Sequence, residues 1–253
     1  MRLFEPLWIA ISTYSVLPAP RAEWDGRNTR YALCFLPAVG LIPGGALLLW
    51  RWACMVLRAD AVLFAAVAAV LPLVLTGGIH MDGFMDTVDA LSSHQPRERR
   101  LEIMKDPHCG AFAVLFCGAY LLTCFGLYEA LYRSPAAPVI CVGFVLSRAL
   151  GVLSAATLPN ARGDGMLFAL TAQLQKRAVI VSMCALCLLC AGGMLWISLP
   201  CGAAGCLFAL ICFFLYRRMA SRQFGGATGD TTGYLIQLCE LCVLAGVWLG
   251  GLL

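Results

Sequence analysis

The sequence predicts an all-α, polytopic integral membrane protein, a helical bundle with about seven transmembrane helices. Hydrophobic residues make up 61% of the 253 positions and charged residues only 13%, whereas an average soluble domain has about 25% charged residues. The apolar residues gather into runs of about 20, the length of a membrane-spanning helix. Helices are the expected spans because backbone polar groups in lipid must be satisfied internally. We find no internal repeat, so the prediction is one membrane-embedded domain over residues 1–253.

Seven apolar runs follow one another along the chain, and each is a candidate span. They are Tyr31–Trp50, Ala59–Gly78, Ala111–Leu131, Ala136–Leu158, Val179–Leu199, Cys201–Tyr216 and Tyr234–Leu253. The first contains Pro37, Pro43 and the pair Gly44-Gly45, so a kink or a break is expected there. The sixth is short and follows Pro200.

The loop charges predict how these spans are oriented. Lys and Arg number four before the first run, four after the second, three after the fourth and three after the sixth, whereas the alternate loops hold three in all. This bias places the N-terminus in the cytoplasm and, after seven spans, the C-terminus outside. The polar, glycine-bearing loops all fall on the inner side, which predicts a site facing the cytoplasm.

Three carboxylates, Asp82, Asp86 and Asp89, lie in "HMDGFMDTVD", directly after the second run. Their spacing of i, i+4 and i+7 places them within roughly a 60° arc of one helix face. Oxygen ligands without thiolates or imidazoles suit a hard cation such as Mg²⁺ or Mn²⁺, and Mg²⁺ is commonly shared with substrate phosphates. The alternative is a solvated acidic turn that favours the helix dipole.

Other residues of the inner loops add the groups that a phosphate site requires. Glycines allow backbone N–H groups to approach an anion, although an interhelix turn would use them equally well. Arg148 lies inside the fourth run and needs a partner, for which an acid of the cluster or a substrate phosphate is expected. The predicted substrate-binding residues are His80, Lys105, Asp106, Arg148, Arg162, Gly225, Gly226, Thr228, Gly229 and Asp230.

Several motifs together resemble those of the cobalamin synthase family, the adenosylcobinamide-GDP ribazoletransferases. The run "TGGIHMDGFMDTVDAL" (Thr76–Leu91) and the following "RRLEIMKDPHCGAFAVL" carry the resemblance most specifically. "FLPAVGLIPGG" (Phe35–Gly45) and "GGATGDTTGYLIQLCE" (Gly225–Glu240) are similar to other hallmarks of the family. The sequence departs from the family pattern at "KDPHCGAF", where Pro107 and His108 replace an expected serine-arginine pair.

The resemblance implies a transferase of the bacterial cytoplasmic (inner) membrane that joins adenosylcobinamide-GDP to α-ribazole or its 5′-phosphate, releases GMP and needs Mg²⁺. It implies Asp82 and Asp86 as metal ligands, with Asp89 as a third ligand or as the base, all three being catalytic. Lys105 and Arg148 would bind phosphates, and Asp230 would bind metal or ribose. The expected partners are these two substrates and the lipid bilayer, with no nucleic acid. The sequence predicts no oligomeric state.

Two other kinds of membrane protein use similar residues. A membrane prenyltransferase or phosphoalcohol transferase also places an Asp-rich helix and Mg²⁺ on a diphosphate, but a prenyltransferase normally carries two aspartate motifs of similar spacing. A cation transporter carries acids deep within its spans, whereas Glu129 and Glu240 are expected near span ends. The lack of internal duplication also disfavours a transporter.

Overall fold

A computed structural model describes residues 4–24, 28–172 and 174–253, and its regular structure is helical throughout these ranges. Two of the loop arginines counted above, Arg2 and Arg27, lie outside them. We label the helices α1 (Glu5–Tyr14), α2 (Arg30–Val56), α3 (Ala61–Leu75), α4 (Ile79–Ser92), α5 (Arg97–Ile103), α6 (Ala111–Leu131), α7 (Ala137–Thr157), α8 (Gly165–Ala172), α9 (Lys176–Ile197), α10 (Leu199–Phe224) and α11 (Gly229–Gly250).

The predicted membrane bundle is confirmed. In the described part of the chain, six helices are long and apolar enough to span a membrane, namely α2, α6, α7, α9, α10 and α11. The pair formed by α3 and α4 passes the same test only as a unit and is bent by 92°. The second predicted span was therefore too long, because its helix ends at Leu75 and the left-handed Gly77 and Gly78 (φ 62° and 78°) turn the chain into α4.

Two other predicted spans have different bounds in the structure. The first continues to Val56, and the break expected near its prolines is local: the chain forms the short helical segments Thr29–Ala32, Leu33–Phe35, Leu36–Val39 and Leu41–Val56, which together make up one candidate span. Pro37 and Pro43 lie in the first turns of the last two, where a missing N–H has little effect. The sixth span is longer than predicted, because Pro200 lies in the first turn of α10 and a π-helical turn, Ala220–Phe224, extends its end.

Helices α7 and α11 form the centre of the bundle. The most apolar 18-residue stretch of α7 is 89% buried and that of α11 is 61% buried, whereas α6 and α9 are only 22% buried and therefore lie at the periphery. Helix α11 packs against α10, α4 and α7. It therefore fixes the position of the acid-bearing helix α4.

Glycines allow α4 and α11 to approach until their backbones touch. A Cβ atom on Gly83 would lie 2.7 Å from the carbonyl oxygen of Asp230, and one on Gly233 would lie 3.1 Å from that of His80. Any larger side chain would separate the helices. This contact brings the acids of α4 beside the first turn of α11.

The inner loops predicted from the sequence lie together at one end of the bundle. Lys105 Nζ is 2.8 Å from Asp164 Oδ2, which joins the loop after α5 to the loop after α7. A bridge between Asn160 and Ala227 joins the latter to the loop before α11. At the opposite end, Arg51 donates hydrogen bonds to carbonyl oxygens of the α6–α7 loop.

Candidate active site

A cavity of about 210 Å³ opens where these loops meet. Its walls come from α1, α2, α4, α7, the loop that leads into α8, and the first turns of α11. Six of the predicted site residues line it, namely His80, Asp82, Arg162, Thr228, Gly229 and Asp230. The structure thus brings together residues that are up to 150 positions apart in the sequence.

The first turn of α11 forms one wall of the cavity. Thr228 begins the helix with a capping box, in which its hydroxyl accepts a hydrogen bond from Thr231 N–H and the Thr231 hydroxyl accepts one from Thr228 N–H. A helix start carries partial positive charge and free N–H groups, both of which favour an anion.

Gly225 and Gly226 shape the turn before α11, and they do not line the cavity. Gly225 has a left-handed φ of 75° and Gly226 a φ of 158°. A side chain on Gly226 would collide with the carbonyl of Pro159, and one on Gly225 with the Arg97 guanidinium. These contacts favour the interhelix-turn interpretation for Gly225 and Gly226, while Gly229 lines the cavity.

Acids from two helices face one another at the cavity. The pKa of Asp86 is raised to about 7, mainly by burial and then by the nearby carboxylates of Asp82 and Asp230, while Arg162 acts in the opposite direction. Asp86 is half-buried and belongs to α4, whose 14 residues are too few to span the membrane on their own. Because one arginine offsets these acids only in part, a bound cation would be stabilised here.

Asp89 makes hydrogen bonds that the sequence did not predict. Its Oδ2 accepts a hydrogen bond from Gly110 N–H (2.6 Å) and its Oδ1 accepts one from Ala113 N–H (2.8 Å). The carboxylate therefore caps the start of α6, and the prediction that it joins Asp82 and Asp86 around a metal is not what this arrangement favours. In the ranges that the structure describes, no three His, Cys, Asp or Glu side chains are grouped closely enough to hold a metal unaided.

Arg162 supplies the positive charge of the cavity. Its Nη1 lies 2.8 Å from Asp230 Oδ2, and its side chain is 14% exposed. Its Nε and Nη2 atoms are buried and have no hydrogen-bond partner in the structure. Buried unpaired N–H groups are costly, so this guanidinium is suited to receive oxygen atoms of an anionic ligand.

The expected partners of Arg148 were wrong. Arg148 Nη1 lies 2.5 Å from Glu240 Oε1 and also donates to the carbonyl of Phe144. The arginine side chain is only 1% exposed, so it does not reach the cavity. Glu240 lies in the middle of α11, and not near a span end as predicted, because α11 begins at Gly229.

Lys105 and Asp106 lie at the surface, outside the cavity wall. Lys105 is half-exposed and pairs with Asp164, which does line the cavity. Asp106 is exposed, and hydrogen bonds from the backbone N–H and the ring of His108 lower its pKa. Lys105 is thus held at the rim, while Asp106 belongs to a local turn.

The contribution of α1 to the cavity was not predicted from the sequence. Tyr14, the last residue of α1, lines the cavity and stacks on the His80 ring, with centroids 5.9 Å apart and an interplanar angle of 18°. His80 is 3% exposed and its Nε2 has no hydrogen-bond partner. The apolar segment "PLWIAISTY" after Glu5 indicates this helix, but it is too short to span a membrane.

A family model and several known proteins match this chain over nearly its whole length. The family model described as Cobalamin-5-phosphate synthase matches residues 6–248. An adenosylcobinamide-GDP ribazoletransferase of Lachnoclostridium phytofermentans is 41% identical over 241 residues, covering 95% of this chain and 92% of the relative. The proteins of that name from Desulfitobacterium hafniense and Pseudomonas savastanoi pv. phaseolicola are 37% and 35% identical, covering 96% and 94% of this chain and 96% and 97% of the relatives. No solved structure matches. With a family match over nearly its full length and relatives this similar, the chain belongs to the cobalamin-5-phosphate synthase family.

Proposed function

We propose that this protein joins adenosylcobinamide-GDP to α-ribazole or its 5′-phosphate and releases GMP, with Mg²⁺ as cofactor. The observation that carries the proposal is the cavity lined by Asp82, Asp230 and Arg162, with Asp86 near enough for the charges of all three to shift its pKa. The names of the relatives support the substrates. The proposal places the reaction at the end of cobalamin synthesis.

The residues fit Mg²⁺ as a shared cation. Asp82, Asp86 and Asp230 would hold it, and phosphate oxygens and water would complete the shell, as is usual for this ion. Burial is the main cause of the raised pKa of Asp86, and the repulsion by Asp82 and Asp230 that adds to it is what a bound cation would relieve. When bound, Mg²⁺ would neutralise charge on the diphosphate and on the leaving phosphate.

The side chains around the cavity have separate tasks in the proposed reaction. Arg162 and the start of α11 bind the diphosphate of adenosylcobinamide-GDP. A ribose hydroxyl attacks the phosphorus that carries the cobinamide aminopropanol, forming a new P–O bond. The P–O bond to the GMP moiety breaks, and GMP leaves with the electron pair. Tyr14 and His80, which stack on each other in the cavity wall, would limit the access of water there.

Membrane placement follows from the same interpretation. The apolar helices establish an integral membrane protein. We place it in the bacterial cytoplasmic membrane with the cavity facing the cytoplasm, because the cation-rich loops surround the cavity and the substrates are large polar molecules. The orientation is tested by the access of a protease or a thiol reagent to the loop at Cys109. Access is compared between sealed inverted vesicles and right-side-out vesicles, and the loop should be reached only in the inverted ones.

The test of the function is GMP release from adenosylcobinamide-GDP by purified protein with α-ribazole and Mg²⁺. Asp82→Asn and Asp86→Asn should each lose most of the turnover, because a neutral amide does not balance the charge of the metal. Glu98→Gln, which removes an exposed acid of α5, is the matched control and should react as wild type does.

Metal binding gives an independent readout. At a hundredfold excess of Mg²⁺ over its dissociation constant, ligand linkage should stabilise wild type by about 2.7 kcal/mol. The two Asn variants should gain much less at that concentration, and Glu98→Gln the same as wild type. Normal turnover and a normal Mg²⁺ response in both Asn variants would show that the acids are only a solvated helix face.

A further inference from the structure

A second cavity, of about 630 Å³, adjoins the first at Ile79 and Asp82 and is more open. Its walls are the end of α1, the turn between α3 and α4, and one face of α4. It shares only Asp82 and Ile79 with the first cavity. Asp82 therefore lines both cavities.

The two cavities differ in chemistry. The first contains Arg162 and the start of α11, both suited to phosphate. The second contains neither Lys nor Arg among its described lining residues. Hydroxyl groups come from Thr13, Ser15 and Thr76, and the Oγ1 atom of Thr13 is buried without a hydrogen-bond partner.

The remaining wall of the second cavity is apolar. Leu73, Met81 and Met85 contribute it. Thioether groups pack favourably against the edges and faces of aromatic rings. A molecule with a planar ring system at one end and hydroxyl groups at the other matches this lining.

We propose that the second cavity binds the acceptor nucleoside, with its ring system against Met81 and Met85 and a ribose hydroxyl hydrogen-bonded to Thr13. This inference rests on the proposed transfer to α-ribazole or its 5′-phosphate. It places the attacking hydroxyl and the leaving GMP on opposite sides of the phosphorus, as an in-line displacement requires. The acceptor oxygen forms its P–O bond from the second cavity while the P–O bond to GMP breaks towards the first. The hydroxyl proton leaves to the solvent that enters the open cavity.

Thr13→Val tests the hydrogen bond with little change in volume. A lost hydrogen bond of ordinary strength predicts a threefold to tenfold higher KM for α-ribazole, with the KM for adenosylcobinamide-GDP unchanged. Met85→Ala, which removes the apolar wall, should raise the same KM. Each assay is run with α-ribazole and with its 5′-phosphate, because both share the ring system and the ribose.

Two matched variants define specificity. Met166→Ala changes the first cavity and should raise the KM for adenosylcobinamide-GDP instead. Leu17→Ala removes an exposed side chain that lines neither cavity and should leave both constants unchanged. A higher KM for adenosylcobinamide-GDP, or unchanged constants, in both Thr13→Val and Met85→Ala would overturn the proposal.

Equilibrium dialysis of radiolabelled α-ribazole, without the second substrate, separates this proposal from the proposed function. Binding by wild type that weakens in Thr13→Val supports the subsite even if no GMP is released, in which case only the proposed function fails. No binding by wild type, or equal binding by the variant, overturns the subsite. A thermal unfolding curve of each variant confirms that it is folded.

Discussion

Replacing Gly83 by Ala should separate α4 from α11 and disable the candidate site. The added Cβ would lie 2.7 Å from the carbonyl oxygen of Asp230 and 2.8 Å from its Cα, whereas ordinary contacts begin at 3.4 Å. The two backbones must therefore move apart by about 0.7 Å, because neither atom belongs to a flexible side chain. The acids of α4 would then be displaced from Asp230 and Arg162 by a similar distance.

The expected magnitudes differ for stability and for activity. Ala in a helix interior gains about 1 kcal/mol over Gly, while overpacking costs about 1–3 kcal/mol, so the net loss of stability should be about 0–2 kcal/mol. A misplacement near 1 Å costs on the order of 10²-fold in rate. Turnover should therefore fall by about 10-fold to 100-fold while the protein stays folded.

The assay measures GMP release together with thermal unfolding in detergent, and the chain offers matched controls. Gly118→Ala lies in the peripheral helix α6, where an added Cβ meets nothing within 4 Å, so it should keep full activity and gain up to about 1 kcal/mol. Gly233→Ala, at 3.1 Å from the His80 carbonyl, should fall between the two. Equal turnover by Gly83→Ala and Gly118→Ala would refute the idea that close helix contact sets the geometry of the site.

Three further outcomes are expected. In metal-free protein the folded-state pKa of Asp86, about 7, lies above its ordinary value of 3.8, so the free energy of unfolding should fall as pH rises between these two values. The full shift would correspond to about 4 kcal/mol. Because Asp86 is partly exposed, we expect a loss of only about 1–2 kcal/mol. Asp86→Asn should flatten this profile in denaturant titrations with EDTA at pH 5 and pH 8, and an unchanged slope would contradict the assignment. Arg148→Met leaves Glu240 buried without its ion-pair partner and should lower the free energy of unfolding by about 3–5 kcal/mol, whereas Arg148→Met combined with Glu240→Leu should recover most of this loss. Equal losses in the single and double variants would mean that the two residues are not energetically coupled. A reporter fused after Leu253 should lie outside the cytoplasm, and a cytoplasmic signal would show that the bent pair α3–α4 does not cross.

The sequence alone determined the membrane bundle and the chemical character of the site. Apolar runs of about 20 residues predict insertion into a membrane, and their length and composition can be obtained from the sequence without tertiary information. The spacing of Asp82 and Asp86 on one helix face is likewise local. The motifs around them indicated the family. The distribution of Lys and Arg predicted that the polar loops lie on one side of the membrane, and in the structure these loops lie together at one end of the bundle.

Tertiary structure decided which of these residues act together. Asp89 shares a helix face with Asp82 and Asp86, yet it bonds to backbone N–H groups 21 and 24 positions away. Arg148 pairs with Glu240, 92 positions away, and not with the acid cluster. Helical periodicity relates only residues within one element, whereas these partners depend on how α4, α6, α7 and α11 pack against one another. For the same physical reason, only the packed structure placed Asp230 and Arg162 beside the acids of α4.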